Sequence, residues 1–267
     1  MQHSRRDFIK YAATTSGGLL LGFNILTPKR FNSAVITADA EGALSFNAFL
    51  SINIDGTVTI FSPNPEVGQG IKTSFPMTVA EELDIDWKLV KVAQAPLDNK
   101  RFERQVAGGS GSTPHSWKRL REAGATARQM LMEAAAKRWQ VPFSSCTTEM
   151  GKVMHKATNR LLTYGELATD AAQLTPPKNV PLKDIKDFKL IGTFVKSVDN
   201  QLMSTGKAVY GLDFKREGML IAMIQRPPAF GLKLKSFDAA TAKAMSGIVD
   251  VVSFKDKVAV VGKRLGK

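Results

Sequence analysis

The sequence predicts an α+β fold in two domains behind a short leader, and three observations carry that reading. Apolar residues alternate on both sides of Asp55-Gly56, the pattern of a β-hairpin. Apolar residues then recur at helical spacing in two segments, Ile71 to Leu83 and Ser116 to Trp139. Beyond a Pro-rich stretch, short β-branched runs return. The 267 residues, 43% hydrophobic and 23% charged, suffice for more than one core.

The leader occupies residues 1–40. Ser4-Arg5-Arg6-Asp7-Phe8-Ile9-Lys10 sets a paired arginine just before an apolar stretch, Tyr11 to Leu26. That order reads as a twin-arginine export signal, with Arg5 and Arg6 as its core. This route carries folded proteins, often ones already loaded with a cofactor, so the expected location is the periplasm. The apolar stretch includes Thr14, Thr15, Ser16 and Asn24 and falls short of the roughly 20 apolar residues a membrane span needs. Ala38-Asp39-Ala40 offers a small-x-small cleavage site; a retained leader would keep the protein at the membrane.

Residues 41–175 read as the first domain. Phe49, Leu50, Ile52 and Ile54 lead into a two-residue Asp55-Gly56 turn, and Val58 and Ile60 return from it. Two prolines in Ser62-Pro63-Asn64-Pro65 stop the ladder. Glu66-Val67-Gly68-Gln69-Gly70 follows, then a helix with Ile71, Phe75, Val79 and Leu83 on one face. Pro76 predicts a kink or a first turn. Val90, Val92 and Ala93 read as a strand, and Gly108-Gly109-Ser110-Gly111-Ser112 precedes an alanine-rich helix. Its small inner residues (Ala123, Ala127, Ala134) let it lie close to a neighbour. Val153 and Leu162 suggest a hairpin, and Thr163-Tyr164-Gly165-Glu166 a capping box for a helix to Ala172.

A linker rich in Pro, Lys and Asp covers 176–200, and the second domain covers 201–267. There Met219, Ile221 and Met223 read as a strand, and Asp238 caps a helix through Met245. Ile248, Val249, Val251 and Val252 read as a buried strand, with a last one from Val258 to Val261.

Two glycine-rich turns carry the chemistry, since each follows extended structure and opens a helix. Gly68-Gln69-Gly70 leaves backbone amides unobstructed at a helix N-terminus, where the dipole favours an anion, and Gln69 adds a side-chain amide. Gly108-Gly109-Ser110-Gly111-Ser112 adds two hydroxyls and would equally serve as a flexible connection. Together they suit a phosphate or the edge of a pterin. A Walker A loop fails because Ile71 separates Gly70 from Lys72, and Thr73 breaks a Gly-x-Gly-x-x-Gly fingerprint. Glu81-Glu82 diverge by about 100° around a helix, so at most one faces any site. Cys146 is the only cysteine, which excludes an internal disulfide and a Cys-ligated cluster in this chain. His3, His115 and His155 lack metal-ligand spacing. The net charge of +13 has no accompanying nucleic-acid motif, so a nucleic-acid partner is not expected.

The ordered set Pro65–Gly70, Ala80-Glu81-Glu82-Leu83, Gly108–Ser112 and Leu120-Arg121-Glu122-Ala123-Gly124-Ala125 resembles the molybdopterin-binding large subunit of the xanthine dehydrogenase family. The isoquinoline 1-oxidoreductase beta-subunit type is the nearest subgroup. Thr163–Leu167, Asp187–Gly192, Gly206–Gly211 and Phe230-Gly231 extend the likeness over nearly the whole chain. The resemblance implies that Gly68, Gln69, Gly70, Ser110, Gly111 and Ser112 contact molybdopterin or its dinucleotide extension, with cytosine as the base. It implies the N-terminal part of a molybdopterin-binding domain, then the start of an a/b hammerhead domain. It implies hydroxylation of an N-heterocycle or aldehyde with oxygen from water. Electrons would leave through a small [2Fe-2S] subunit, with a cytochrome c as a further acceptor. Family members are much longer, and their catalytic glutamate lies in a C-terminal Gly-x-Gly-Glu-type segment that this sequence lacks. The chain is therefore expected to be an N-terminal portion, inactive alone, with no catalytic residue of its own. A non-catalytic exported remnant or scaffold that docks an iron–sulfur partner, and a truncated frame without a stable product, stay open beside it.

Overall fold

The computed structural model of the chain describes residues 18–21, as backbone, and residues 49–264. The arginine pair Arg5-Arg6 and Ala38-Asp39-Ala40 lie outside the described residues. The chain is a mixture of helices and strands divided into two compact units, Met1–Gln201 and Leu202–Lys267.

The first unit is built on a four-stranded sheet in the order β1-β2-β3-β4. Its strands are β1 (Gly18–Leu21), β2 (Leu50–Asn53), β3 (Val58–Ser62) and β4 (Val90–Gln94). β1 pairs antiparallel with β2, so four residues of the apolar stretch assigned to the leader form an edge strand here. β2 and β3 make the expected hairpin, but with a three-residue loop rather than two. The Asn53 N–H donates to the Thr57 carbonyl at 2.9 Å, which leaves Ile54, Asp55 and Gly56 outside the ladder. Gly56 supplies the left-handed residue (φ 84°) that closes such a loop, and Asp55 Oδ1 accepts from the Thr57 N–H at 2.8 Å. β3 and β4 run parallel, with helix α1 (Ile71–Leu83) as the crossover between them. α1 continues through Pro76, which sits in its interior rather than its first turn.

A single turn, α2 (Asn99–Phe102), precedes the long helix α3 (Ser112–Trp139). α3 begins four residues ahead of the expected start, so Ser112 is its first residue. α1 and α3 touch at Gly124, where a Cβ would stand 2.3 Å from the Val79 carbonyl oxygen. Val153 pairs with Leu162 in the expected hairpin, β6 (Lys152–His155) with β7 (Arg160–Thr163), and β5 (Thr147–Glu149) adds a third antiparallel strand to make a meander. The capping box forms at Thr163 and Glu166 and opens α4 (Tyr164–Ala172). Tyr164 is fully buried, and its hydroxyl donates to the Leu83 carbonyl at 2.7 Å. Leu50, Ile52, Ile60, Phe75, Val79, Leu83, Leu131 and Leu167 make the centre of this core.

Helix α5 (Asn200–Ser204) spans the division between the units. The second unit holds a three-stranded antiparallel sheet in the order β8-β10-β9, with β8 at Ile221–Gln225, β9 at Ile248–Phe254 and β10 at Lys257–Gly262. Asp238 Oδ1 accepts from the Ala240 N–H at 2.8 Å, but the helix it precedes, α6 (Ala240–Lys243), is one turn and stops short of Met245. β9 is not the buried strand its sequence suggests, since Val249 and Val252 are 48% and 40% exposed. One short helix against β9 covers too little of a sheet whose residues are apolar on both faces.

Candidate functional site

The two glycine-rich turns lie in the first unit, at the N-termini of α1 and α3, and Asn64, at the head of the loop that leads into the first, is bonded to the start of α3. Asn64, just past the end of β3, is fully buried. Its Nδ2 donates to the Val106 carbonyl (3.0 Å) and to Ser112 Oγ (3.1 Å), and Ser112 Oγ donates to the same carbonyl (3.1 Å). Two more amides brace this floor. Gln105 Nε2 donates to the Pro63 and Pro96 carbonyls, and Gln94 Nε2 to those of Ser62 and Asn64. Past the end of β3 the Pro63 and Asn64 carbonyls thus find their donors in side chains, as buried backbone groups require, while that of Ser62 also accepts from the Ala95 N–H.

The Gly68-Gln69-Gly70 turn does not present free amides. Glu66 turns back on it: Oε1 accepts from the N–H groups of Gly68 (2.7 Å) and Gly70 (3.0 Å), and Oε2 from that of Lys72 (2.9 Å). Gly68 and Gly70 take φ of 96° and 81°, which lets successive amides converge on one carboxylate. Burial pushes the Glu66 carboxyl up, yet the amides of Lys72, Gly70 and Gly68 together hold it below its ordinary value. The Gln69 side chain folds onto its own loop, with Oε1 accepting from the Val67 N–H (2.6 Å) and Nε2 donating to the Pro65 carbonyl (3.0 Å). The anion expected at this turn is therefore a side chain of the turn itself. The loop remains exposed at Val67, Gly68 and Gln69.

The Gly108–Ser112 turn is the opposite case. Gly109 and Ser110 both take left-handed backbone, φ 62° and 49°. Gly111 precedes α3 without a side-chain cap, and no acid lies in the first turn of that helix. Arg104 lies against this turn: Nη2 donates to the Gly108 carbonyl at 3.1 Å, and a Cβ on Gly111 would stand 3.3 Å from Nη1. Among the described residues Arg104 has no carboxylate partner, and Nη1 is buried without a hydrogen bond. Asn64 Oδ1, Ser62 Oγ and Ser116 Oγ are also buried without a partner. Ser116 lies one helical turn beyond Ser112, on the same face.

Glu81 and Glu82 do not serve either turn. Glu81 is 2% exposed, and its Oε2 accepts from the N–H groups of Lys189, Leu190 and Ile191 at 3.0, 2.7 and 3.0 Å. Its Oε1 pairs with Lys183 Nζ at 3.1 Å. Burial raises the Glu81 carboxyl, but these donors outweigh burial and leave it lowered. Glu82 is paired with Arg121 at 2.7 Å and accepts from the Lys183 N–H at 3.1 Å. Both carboxylates thus fasten the 183–191 stretch to α1. Cys146 is buried, and burial pushes its thiol up, away from the reactive thiolate.

Glu66, Asn64 and Arg104 escape a sequence reading based on glycine spacing. Glu66 carried a usable signal, because an acid two residues before Gly-x-Gly can reach the amides that the glycines free. Asn64 and Arg104 carried none, since their roles depend on pairings across 48 residues and on a turn whose shape the sequence leaves open.

A family profile described as the molybdopterin cofactor-binding domain matches residues 15–212. The chain is 32% identical, over 97% of its length, to the beta subunit of isoquinoline 1-oxidoreductase from Brevundimonas diminuta, of which it covers 38%. It is 30% identical over 97% of its length to the membrane-bound aldehyde dehydrogenase (pyrroloquinoline-quinone) of Gluconacetobacter polyoxogenes, covering 34% of that protein. It is also 30% identical over 99% of its length to a subunit of nicotinate dehydrogenase from Pseudomonas putida, covering 23%. The chain thus spans between 23% and 38% of the length of these relatives.

Proposed function

The chain belongs to the molybdopterin cofactor-binding domain family, that of the large subunits of xanthine dehydrogenase-type enzymes, and from this premise we propose that its two glycine-rich turns hold a molybdopterin cofactor within a larger oxidoreductase. The observation that carries the proposal is the junction at Asn64. It ties the loop that leads into Gly68 to the first residue of α3, beside buried polar atoms that lack partners, an acceptor at Asn64 Oδ1 and a donor at Arg104 Nη1. Native proteins rarely leave such groups unpaired, and a heterocycle bearing phosphate offers both kinds of partner. When bound, the cofactor supplies two-electron oxidation chemistry. The chain binds and orients it: Gln69 presents an amide fixed by its own loop, and Ser110, Gly111 and Ser112 offer hydroxyls and backbone where no acid intervenes.

The finer parts of this reading rest on resemblance and composition. We assign the cytosine dinucleotide form of the cofactor, and as substrate an N-heterocycle or an aldehyde. The name of one relative carries pyrroloquinoline quinone instead, but the profile spanning 15–212 favours the pterin. On the resemblance we assign a small [2Fe-2S] subunit and a cytochrome c as electron partners, and the single buried cysteine of this stretch agrees with clusters held elsewhere. The second unit corresponds to part of an a/b hammerhead domain. Arg5-Arg6 supports export to the periplasm. We further propose that this stretch alone does not turn over substrate, a reading supported by Glu66, Glu81 and Glu82 all being committed to hydrogen bonds or ion pairs.

The test is cofactor content. The chain, purified from a host that makes the cofactor, is assayed for acid-released fluorescent pterin, cytidine nucleotide and molybdenum, and for hydroxylation of N-heterocycles and aldehydes. Pterin and cytidine nucleotide that fall sharply in a Gln69→Ala, Ser112→Ala double variant, without turnover in either protein, are expected. A folded wild-type chain free of pterin would overturn the cofactor assignment, and appreciable turnover would overturn the claim that it is inactive alone.

A further inference from the structure

We propose that the stretch from Lys183 to Asp199 is a positioning strap for the Gly68–Gly70 turn, and that it acts through Lys72. The consequence for cofactor binding rests on the reading above; the strap itself rests on geometry.

Residues 176–199 contain no strand and no helix beyond one short 3₁₀ turn at Ile185–Asp187. A stretch of that length without a ladder of its own is usually either functional or disordered. Here it is seated on α1, whose side chains accept from its backbone. Lys183 donates its N–H to Glu82 Oε2 at 3.1 Å, and Lys189, Leu190 and Ile191 donate theirs to Glu81 Oε2. Arg121 of α3 donates to the Lys183 carbonyl and holds its guanidinium 5.1 Å from the centre of the Phe188 ring. Farther on, Val198 donates its N–H to Thr73 Oγ1 at 3.1 Å, and both oxygens of Asp199 accept from Lys72 Nζ, at 2.7 and 2.8 Å. The partners on α1 run backwards, from Glu82 and Glu81 to Thr73 and Lys72, while the strap runs forwards. It therefore lies antiparallel along the helix and ends at its first turn.

The charges of α1 suit the strap and not the helix. Glu81 and Glu82 stand in its last turn and Lys72 in its first, each against the helix dipole. The strap's amides, Lys183 and Asp199 offset that arrangement. Lys72 then joins two contacts in one residue. Its side chain holds Asp199, and its N–H donates to Glu66, the carboxylate that also takes the amides of Gly68 and Gly70. The two side chains of the pair are only 21% and 19% exposed, so water screens it less than the Arg138–Asp170 pair, at 41% on both sides. A seated strap thus fixes the first turn of α1, and with it the loop that carries Gln69.

The experiment is residue-by-residue amide hydrogen exchange on the full chain and three variants, with pterin content measured on each. Asp199→Asn should speed exchange at Gly68, Gly70 and Lys72 about two- to tenfold, leaving Ile60, in the middle of β3, unchanged. Lys189, Leu190 and Ile191 should stay protected, because Glu81 still holds them. Asp199→Glu should restore slow exchange, and Asp170→Asn, which breaks an ion pair away from the strap, should leave the turn as it is. In wild type, added salt should speed exchange at the same three amides, which decides the matter even where Asp199→Asn does not fold. A turn indifferent to Asp199→Asn and to salt, equal acceleration at Ile60, or an equal effect from Asp170→Asn would each overturn the strap. Pterin that falls in Asp199→Asn and returns in Asp199→Glu would support both the strap and the cofactor reading. A turn loosened by Asp199→Asn in a chain that carries no pterin would keep the strap and sink the cofactor reading; pterin retained on a turn indifferent to Asp199 would do the reverse.

Discussion

The Gly68–Gly70 and Gly108–Ser112 turns are alike in composition and opposite in electrostatics. Each opens a helix, and each uses left-handed backbone, at Gly68 and Gly70 in one and at Gly109 and Ser110 in the other. In the first, Glu66 stands two residues ahead and accepts from those amides. In the second, the nearest charged side chain is Arg104, which contacts a carbonyl and leaves the amides open. Glycine spacing thus specifies a turn's shape, while a charged residue a few positions upstream decides whether its amides are already taken.

Both turns depend on α1 and α3 staying in register, so the largest effects come from breaking that scaffold. Glu82→Ala would leave Arg121 buried beside no carboxylate and free the 183–191 stretch, with an expected loss of about 3–5 kcal/mol in urea unfolding. A loss below about 1 kcal/mol would mean the pair does not hold the scaffold. Gly124→Ala forces a Cβ onto the Val79 carbonyl and should cost about 1–3 kcal/mol, displacing the two turns relative to each other. Unchanged stability would deny the close approach of the helices.

Glu66→Gln acts on one turn alone and should cost about 1 kcal/mol at neutral pH. Its sign with pH follows from a carboxyl held below the ordinary value of 4.5. The stability it contributes is present above about pH 4.5 and is lost as pH falls through its lower folded-state value. Wild type and variant should therefore converge in acid, and a pH-independent difference would contradict the charge-based account. Gly111→Asp has the smallest expected effect on stability, a gain of a few tenths of a kcal/mol, because it supplies α3 with a side-chain cap such as Thr163 gives α4. It turns the open turn into a closed one, and a loss in the same urea unfolding would contradict that reading.

Much of this was legible in the residues. The Asp55-Gly56 hairpin, the helical face from Ile71 to Leu83 and the Thr163–Glu166 box follow local rules, and the structure keeps them. The hairpin loop gained a residue because the pairing of Asn53 with Thr57 fixes it, and composition does not report register. The positions of both glycine turns at helix starts were readable, but not their difference. That difference depends on a carboxylate folding back over Gly68 and on Asn64 reaching Ser112, contacts made only once the sheet and α3 have come together. β9 misled for the same reason: a β-branched run marks a strand, but burial depends on what covers it.

The most direct test of the contrast is amide hydrogen exchange on the wild-type chain, residue by residue. Slow exchange at Gly68, Gly70 and Lys72 and fast exchange at Gly109, Ser110 and Ser112 are the expected results. Equal exchange in the two turns, or slower exchange at Gly109, Ser110 and Ser112 instead, would contradict the account.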